Sequence, residues 1–354
     1  TSLISKSRMI TPNHIPAHLS PDVGPWPDEL WSIELAGAAR DVKTLLNAVQ
    51  VHPQNLQYPA DTSAKFQLLV PRGFIARMRK GDADDPLLKQ VLPTLEEHKA
   101  SNEFTRDPLA ETDPAQGFIK TPSLLQKYQG RVLLITTPGC AINCRYCFRR
   151  EFPYTQHRPK GHQEALAAIA ADPSIDEVIL SGGDPLLLSD KQLSQLLKAI
   201  ESIPHIQRIR IHSRIPIVLP ERITHGLMDA LERCRCQMVL VAHTNHPQEL
   251  NDATARALAC LKHSQVTLLN QSVLLRGINA DATTLAELSK KLFAQGVLPY
   301  YLHLTDHVAG TEHFFIGDDE ARKVYAQLQR LLPGYLLPKL VRELPGQASK
   351  TLMY

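Results

Sequence analysis

Residues 131–147 read Arg131-Val-Leu-Leu-Ile-Thr-Thr-Pro-Gly-Cys140-Ala-Ile-Asn-Cys144-Arg-Tyr-Cys147. Val132 to Thr136 is a short apolar, β-branched run of the kind that forms a buried parallel strand, and Pro138-Gly139 ends it. Three thiols then follow within eight residues, on the loop that leaves the strand. Cysteines packed this closely point to an inorganic centre rather than to the spread cross-links of a secreted domain. A structural zinc site takes four closed protein ligands, and the nearest downstream candidate for a fourth is His157. Three ligands leave a metal position open, as a 4Fe-4S cluster must when it acts on a substrate. Zinc, or three incidental thiols, are the plainer alternatives.

Downstream, similar runs occupy Glu177–Ser181, Arg208–His212, Gln237–Ala242, Val266–Gln271 and Val297–His303. After the first interval their starts lie about thirty residues apart, the length of a strand, a crossover helix and the return to a parallel strand. Apolar residues at helical spacing fill the intervals around 162–171, 190–202, 223–233, 249–263, 282–295 and 318–332. Six βα units predict an α/β protein with a partial (β/α)6 parallel barrel, a doubly wound open sheet being the rival arrangement. A polar or glycine cluster follows each run: Gly139-Cys140, Gly182-Gly183-Asp184, Ser213-Arg214, His243 to His246, Ser272 with Arg276, and Asp306. Loops at the carboxyl ends of parallel strands build sites, so all six clusters are expected at one mouth.

Upstream, a proline-rich stretch over 1–27 is expected to be an irregular arm. Helical spacing over 28–49 and 71–78 predicts a mainly helical appendage spanning 28–110, before a barrel at 111–335 and a C-terminal segment at 336–354. With 354 residues, 43% hydrophobic and 21% charged, the chain can bury a large core. Its net charge of +3, without blocks of like sign, gives no footprint for nucleic acid or an anionic membrane. Neither an apolar signal segment in the first thirty residues nor a membrane-spanning run is evident, so a cytoplasmic location is expected. Cys234, Cys236 and Cys260 sit in or beside helical segments and read as packing or surface thiols.

The spacing cysteine-x3-cysteine-x-aromatic-cysteine resembles the signature of radical S-adenosylmethionine enzymes. Further stretches are similar to the lysine 2,3-aminomutase family: Cys140 to Arg150, Ser181 to Leu187, His212-Ser213-Arg214, Ile217 to Pro220, Asn245-His246-Pro247, Asn270 to Asn279 and Pro299-Tyr300-Tyr301. Leu69-Val70-Pro71-Arg72 and Asp84-Asp85-Pro86-Leu87 resemble the branch of that family associated with (R)-β-lysylation of elongation factor P.

The resemblance implies a 4Fe-4S cluster on Cys140, Cys144 and Cys147, and S-adenosyl-L-methionine bound beside Tyr146 and Gly182-Gly183-Asp184. It implies pyridoxal 5'-phosphate on Lys350, with Lys127, Tyr128 and Arg131 near the cofactor phosphate. Arg149 matches the residue that binds the substrate α-carboxylate, and Asp306 and Glu343 match the acids that hold the distal ammonium. Two departures stand out: the family's glycine run before the lysine is here Gln347-Ala348-Ser349, and Glu343 replaces a usual aspartate. The implied activity is isomerisation of free L-α-lysine to β-lysine, with a one-electron reductant as partner and a functional link to elongation factor P and its lysyl ligase. Competing readings are an aminomutase for glutamate or arginine, or a non-catalytic iron-sulfur or zinc protein.

Overall fold

The computed structural model describes residues 24–99, 101–154 and 161–354. Most of the expected arm, residues 1–23, and His157 lie outside the described residues. The end of that arm is docked: Trp26 N donates to Ile223 O at 3.0 Å, and the Arg256 guanidinium sits 4.0 Å over the Trp26 ring.

One ten-stranded sheet runs through the chain in sequential order. Its strands are β1 (Ile119–Thr121), β2 (Leu124–Tyr128), β3 (Arg131–Thr137), β4 (Glu177–Gly182), β5 (Arg208–Ser213), β6 (Gln237–His243), β7 (Thr267–Val273), β8 (Leu298–His303), β9 (Lys339–Arg342) and β10 (Thr351–Leu352). Strands β3 to β9 are parallel, and antiparallel partners close each end, β1–β2 on β3 and β10 on β9. A doubly wound sheet reverses its strand order at a switch point. Here the order follows the chain without reversal and the terminal strands do not pair, which is a partial barrel.

The six expected strands are β3 to β8, and the crossover helices fill the expected intervals. Preceded by the short helices α1 (Leu30–Ala36), α2 (Val42–Val49), α3 (Arg72–Ile75) and α4 (Pro86–Lys89), they are α5 (Gln163–Ala171), α6 (Asp190–Glu201), α7 (Ile215–Val218), α8 (His225–Glu232), α9 (Asp252–His263), α10 (Ala282–Ala294) and α11 (Asp318–Leu331). Register places Leu134, Leu180, Ile211, Leu240 and Leu268 in one buried row beneath the helices. Because strand side chains alternate, the neighbouring positions Ser181, His212, His243, Tyr301 and His303 fall on the inner face. The outer row is thus apolar, and the inner face sets these polar side chains among apolar ones such as Ile135, Ile179 and Val241.

The region before the barrel departs from the expected mainly helical appendage. Its four α-helices have seven, eight, four and four residues, and most of the backbone between them is irregular. Nor does it stand apart: Leu45, Phe74 and Leu87 share one continuous core with Leu134, Leu180 and Leu240 of the sheet. Among the described residues no helix is long and apolar enough to cross a membrane.

Candidate active site

The cysteine loop and the glycine turn are locked together. Gly183 N donates to Thr137 O and Asp184 N to Gly139 O, both at 2.7 Å. A Cβ on Gly183 would lie 2.0 Å from Gly139 O, and Gly182 has φ +111°, so only glycines allow the β4 turn to meet the loop from β3. The Asp184 side chain is engaged within the protein. Its carboxylate accepts from Ser213 Oγ at 2.7 Å, Arg214 N at 2.8 Å, Leu186 N at 3.1 Å and Ile215 N at 3.2 Å. It therefore braces the loop after β5 against the glycine turn.

Cys140, Cys144 and Cys147 are unpaired thiols. Burial, reinforced by the neighbouring cysteines, pushes the Cys147 thiol up to about 11 and Cys140 well above its ordinary value. Such thiols lose their protons only to a positive centre, which is what iron supplies. Among the described residues no three His, Cys, Asp or Glu side chains converge on a single-ion site. Beside Cys144, Arg214 Nη1 lies 2.7 Å from Sγ, while its Nη2 reaches Gln90 Oε1 at 2.6 Å and Glu249 Oε2 at 3.1 Å. Next to this guanidinium, the Tyr146 hydroxyl accepts from Asn245 Nδ2 at 2.7 Å and meets His243 Nε2 at 2.9 Å, and the two rings stack. Burial keeps His243 neutral. On the other side of the loop, Arg145 and Arg150 both pair with Glu97, whose carboxylate they hold ionised against its burial.

A second cluster spans the mouth. Glu343 Oε2 accepts from Lys350 Nζ at 2.5 Å and Glu343 Oε1 from Lys127 Nζ at 2.7 Å. Lys127 also lies 2.9 Å from Glu111 Oε1, and Glu111 accepts from Arg149 Nε at 2.9 Å and Nη2 at 2.7 Å. The result is an alternating chain of charges from Lys350 to Arg149. Burial alone would raise both acids, but the cations outweigh it: Glu111 falls to about 2 and Glu343 lower still. Asp306 goes the other way. The nearby ammonium groups are paired with Glu343, so burial and the Glu343 charge push Asp306 up to about 7. Tyr128 is held above its usual range by burial and by Glu343, and Arg131 lies 4.6 Å over its ring.

Of the sequence-predicted residues, Lys127, Arg149, Glu343 and Lys350 are brought together in this network with Asp306 and Tyr128 beside Glu343, whereas Arg131 opens β3 at the opposite edge of the sheet, level with Glu177, and meets the Tyr128 ring. Lys127, aligned with residues near the cofactor phosphate, sits between two carboxylates, and the Arg149 fork, matched to the residue that binds the substrate carboxylate, also holds Glu111. Residues given no role from sequence are Gln90, Glu111 and Glu249, together with Arg214 and His243, which were expected at the mouth without a function. Arg214 had a signal, being in a cluster after a strand; Gln90 and Glu111 lie in irregular backbone with none. The donors fit the three implied groups: three thiols for a cluster, the backbone of the glycine turn beside them for an amino-acid ligand, and Lys350, whose partner Glu343 also lies beside Tyr128, for pyridoxal phosphate. Buried His212 Nε2, on the inner face, has no hydrogen-bond partner, as expected of an atom that meets a ligand.

The Radical SAM superfamily model matches residues 134–282. Over 327 residues the chain is 48% identical to L-lysine 2,3-aminomutase of Escherichia coli (strain K12), covering 91% of this chain and 94% of that protein. The L-lysine 2,3-aminomutase of Haemophilus influenzae is 46% identical over 327 residues, 92% of this chain and 96% of that protein. A glutamate 2,3-aminomutase of Clostridioides difficile is 29% identical over 331 residues, 92% of this chain and 76% of that protein.

Proposed function

Since the chain belongs to the L-lysine 2,3-aminomutase family of radical S-adenosylmethionine enzymes, we propose that it converts free L-α-lysine to β-lysine. The observation that carries the substrate is the acid pair at the mouth: Glu343 already holds two ammonium groups, with Asp306 beside it. Such a site accepts an ammonium and repels an acidic side chain, which disfavours glutamate. When bound, the 4Fe-4S cluster and S-adenosyl-L-methionine supply a radical able to break an unactivated C–H bond, and pyridoxal 5'-phosphate holds the migrating nitrogen.

The chain's own residues position these groups. Cys140, Cys144 and Cys147 hold the cluster, with Arg214 beside Cys144 as a fixed positive charge. The Gly182-Gly183 turn, packed without side chains against the cysteine loop, would offer its backbone to S-adenosyl-L-methionine near Tyr146, and Asp184 keeps that turn in place. Lys350 anchors pyridoxal phosphate, with Tyr128 and Arg131 toward its phosphate and Lys127 linking that end to Glu343. Arg149 takes the α-carboxylate through the edge that Glu111 leaves open. Both ends of the substrate are read, so a free amino acid fits and a lysine joined to protein through its carboxyl does not.

The reducing surroundings that a cluster needs favour the cytoplasm, where a one-electron donor would serve it. Passage of β-lysine to elongation factor P through its lysyl ligase rests on the sequence resemblance at residues 69–72 and 84–87. Pyridoxal absorbance tests the cofactor assignment: a visible band in reconstituted protein is expected to vanish in Lys350→Ala. Absence of the band from reconstituted wild type contradicts it. Competition with α-lysylated factor tests the order of steps; faster rearrangement of that factor than of free lysine would overturn the role of Arg149.

A further inference from the structure

We propose that Glu111 is a positioning residue for substrate recognition, acting through Arg149; the inference rests on the reading of Arg149 as the carboxylate-binding group. A guanidinium offers two forked edges. Glu111 occupies one of them, Nε at 2.9 Å and Nη2 at 2.7 Å, and both side chains are buried. The other edge faces Ser181, whose Oγ is 3.5 Å from Nη1, too far for a strong hydrogen bond. One fork is therefore fixed and the other is presented to the mouth.

The need for such a brace is visible around the pair. A cavity of about 200 Å³ lies against it, lined by Asp107, Glu111, Phe148, Arg149 and Phe152, so the guanidinium has space to turn away. Phe148 and Phe152 flank it at 4.9 and 5.8 Å without fixing its rotation. Glu111 is itself held at both ends. Lys127 grips its carboxylate, and its segment is tied across the mouth: Thr105 N donates to His307 O and Ala309 N to Thr105 O, both at 2.8 Å, next to Asp306. The same segment therefore touches the groups that read the carboxylate and those that read the ammonium.

The experiment uses protein loaded with pyridoxal phosphate and follows the change in its visible absorbance on adding lysine or lysinamide, which needs no turnover and no cluster. Lysinamide lacks the carboxylate charge. Glu111→Gln is expected to raise the half-saturating lysine concentration on the order of tenfold, the scale of one charged hydrogen bond, and to leave that for lysinamide unchanged. Glu111→Asp, which keeps the charge, restores most of the affinity. In an Arg149→Ala background, Glu111→Gln adds nothing. In the holoenzyme, KM for lysine rises more than kcat falls. An unchanged or lower half-saturating lysine concentration in Glu111→Gln, or an equal shift for lysinamide, overturns the proposal while Arg149→Ala still loses its preference for lysine. If Arg149→Ala keeps that preference, the Arg149 assignment falls and this proposal with it.

Discussion

Asp306 is the residue at which charge and function meet most directly. Burial and the Glu343 carboxylate lift it to about 7, so near neutral pH it is half protonated until an ammonium arrives. An incoming ammonium favours the ionised form. Lysine binding should therefore weaken as pH falls through 7, by about tenfold between pH 8 and pH 6. Asp306→Asn should bind lysine poorly with a flatter profile, the difference from wild type isolating Asp306 from the titration of lysine itself. The same shift has a stability consequence. A carboxyl whose folded value lies above its unfolded value holds its proton more tightly in the folded state, so stability falls as pH rises from about 4 to about 7. Asp306→Asn is accordingly expected to raise the melting temperature of the unliganded protein at pH 8 by about one to two degrees, on the order of what ~1 kcal/mol gives in a chain this size. A lower melting temperature, or an unchanged pH profile for lysine, would contradict the environment assigned to Asp306.

Among the elements, the junction of the β3 and β4 loops carries the most. Adding one methyl at Gly183 drives it to 2.0 Å from Gly139 O, so the two loops must separate. Gly183→Ala is expected to cost roughly 1–3 kcal/mol of stability and to abolish cleavage of S-adenosyl-L-methionine, measured anaerobically with reductant. Retained cleavage would mean that the loops need not touch. This junction was half legible in the sequence. The cysteine spacing and the glycine pair each had a local signal, and parallel strands buried on both faces read as apolar runs, so β3 to β8 stood out. Strand β9 did not: Lys339-Leu-Val-Arg342 has two apolar residues between two charged ones, too short for a period. Glu111 was invisible for a different reason, its partners lying 16 and 38 residues away along the chain. Nor could the fourfold bracing role of Asp184 be read locally, because Ser213, Arg214 and Ile215 come from the next strand's loop.

At the scale of the molecule, the segment before the barrel and the barrel itself share one continuous core. Phe74, fully buried, lies under the Arg214 guanidinium at 5.4 Å, and that guanidinium reaches Cys144. Phe74→Ala is expected to cost about 3–5 kcal/mol and to lower iron content along with melting temperature. In the wild type, cluster absorbance and far-ultraviolet dichroism should be lost in a single transition; two separated transitions would mean that the segment folds independently. What this body is built to do is tested most directly by one measurement. Protein reconstituted anaerobically with iron, sulfide and pyridoxal phosphate is incubated with lysine, reductant and S-adenosyl-L-methionine, and the products are resolved by chromatography, with glutamate in a parallel reaction. The expected result is β-lysine from lysine, with glutamate unchanged. No β-lysine from protein that cleaves S-adenosyl-L-methionine, or faster turnover of glutamate, would contradict the account.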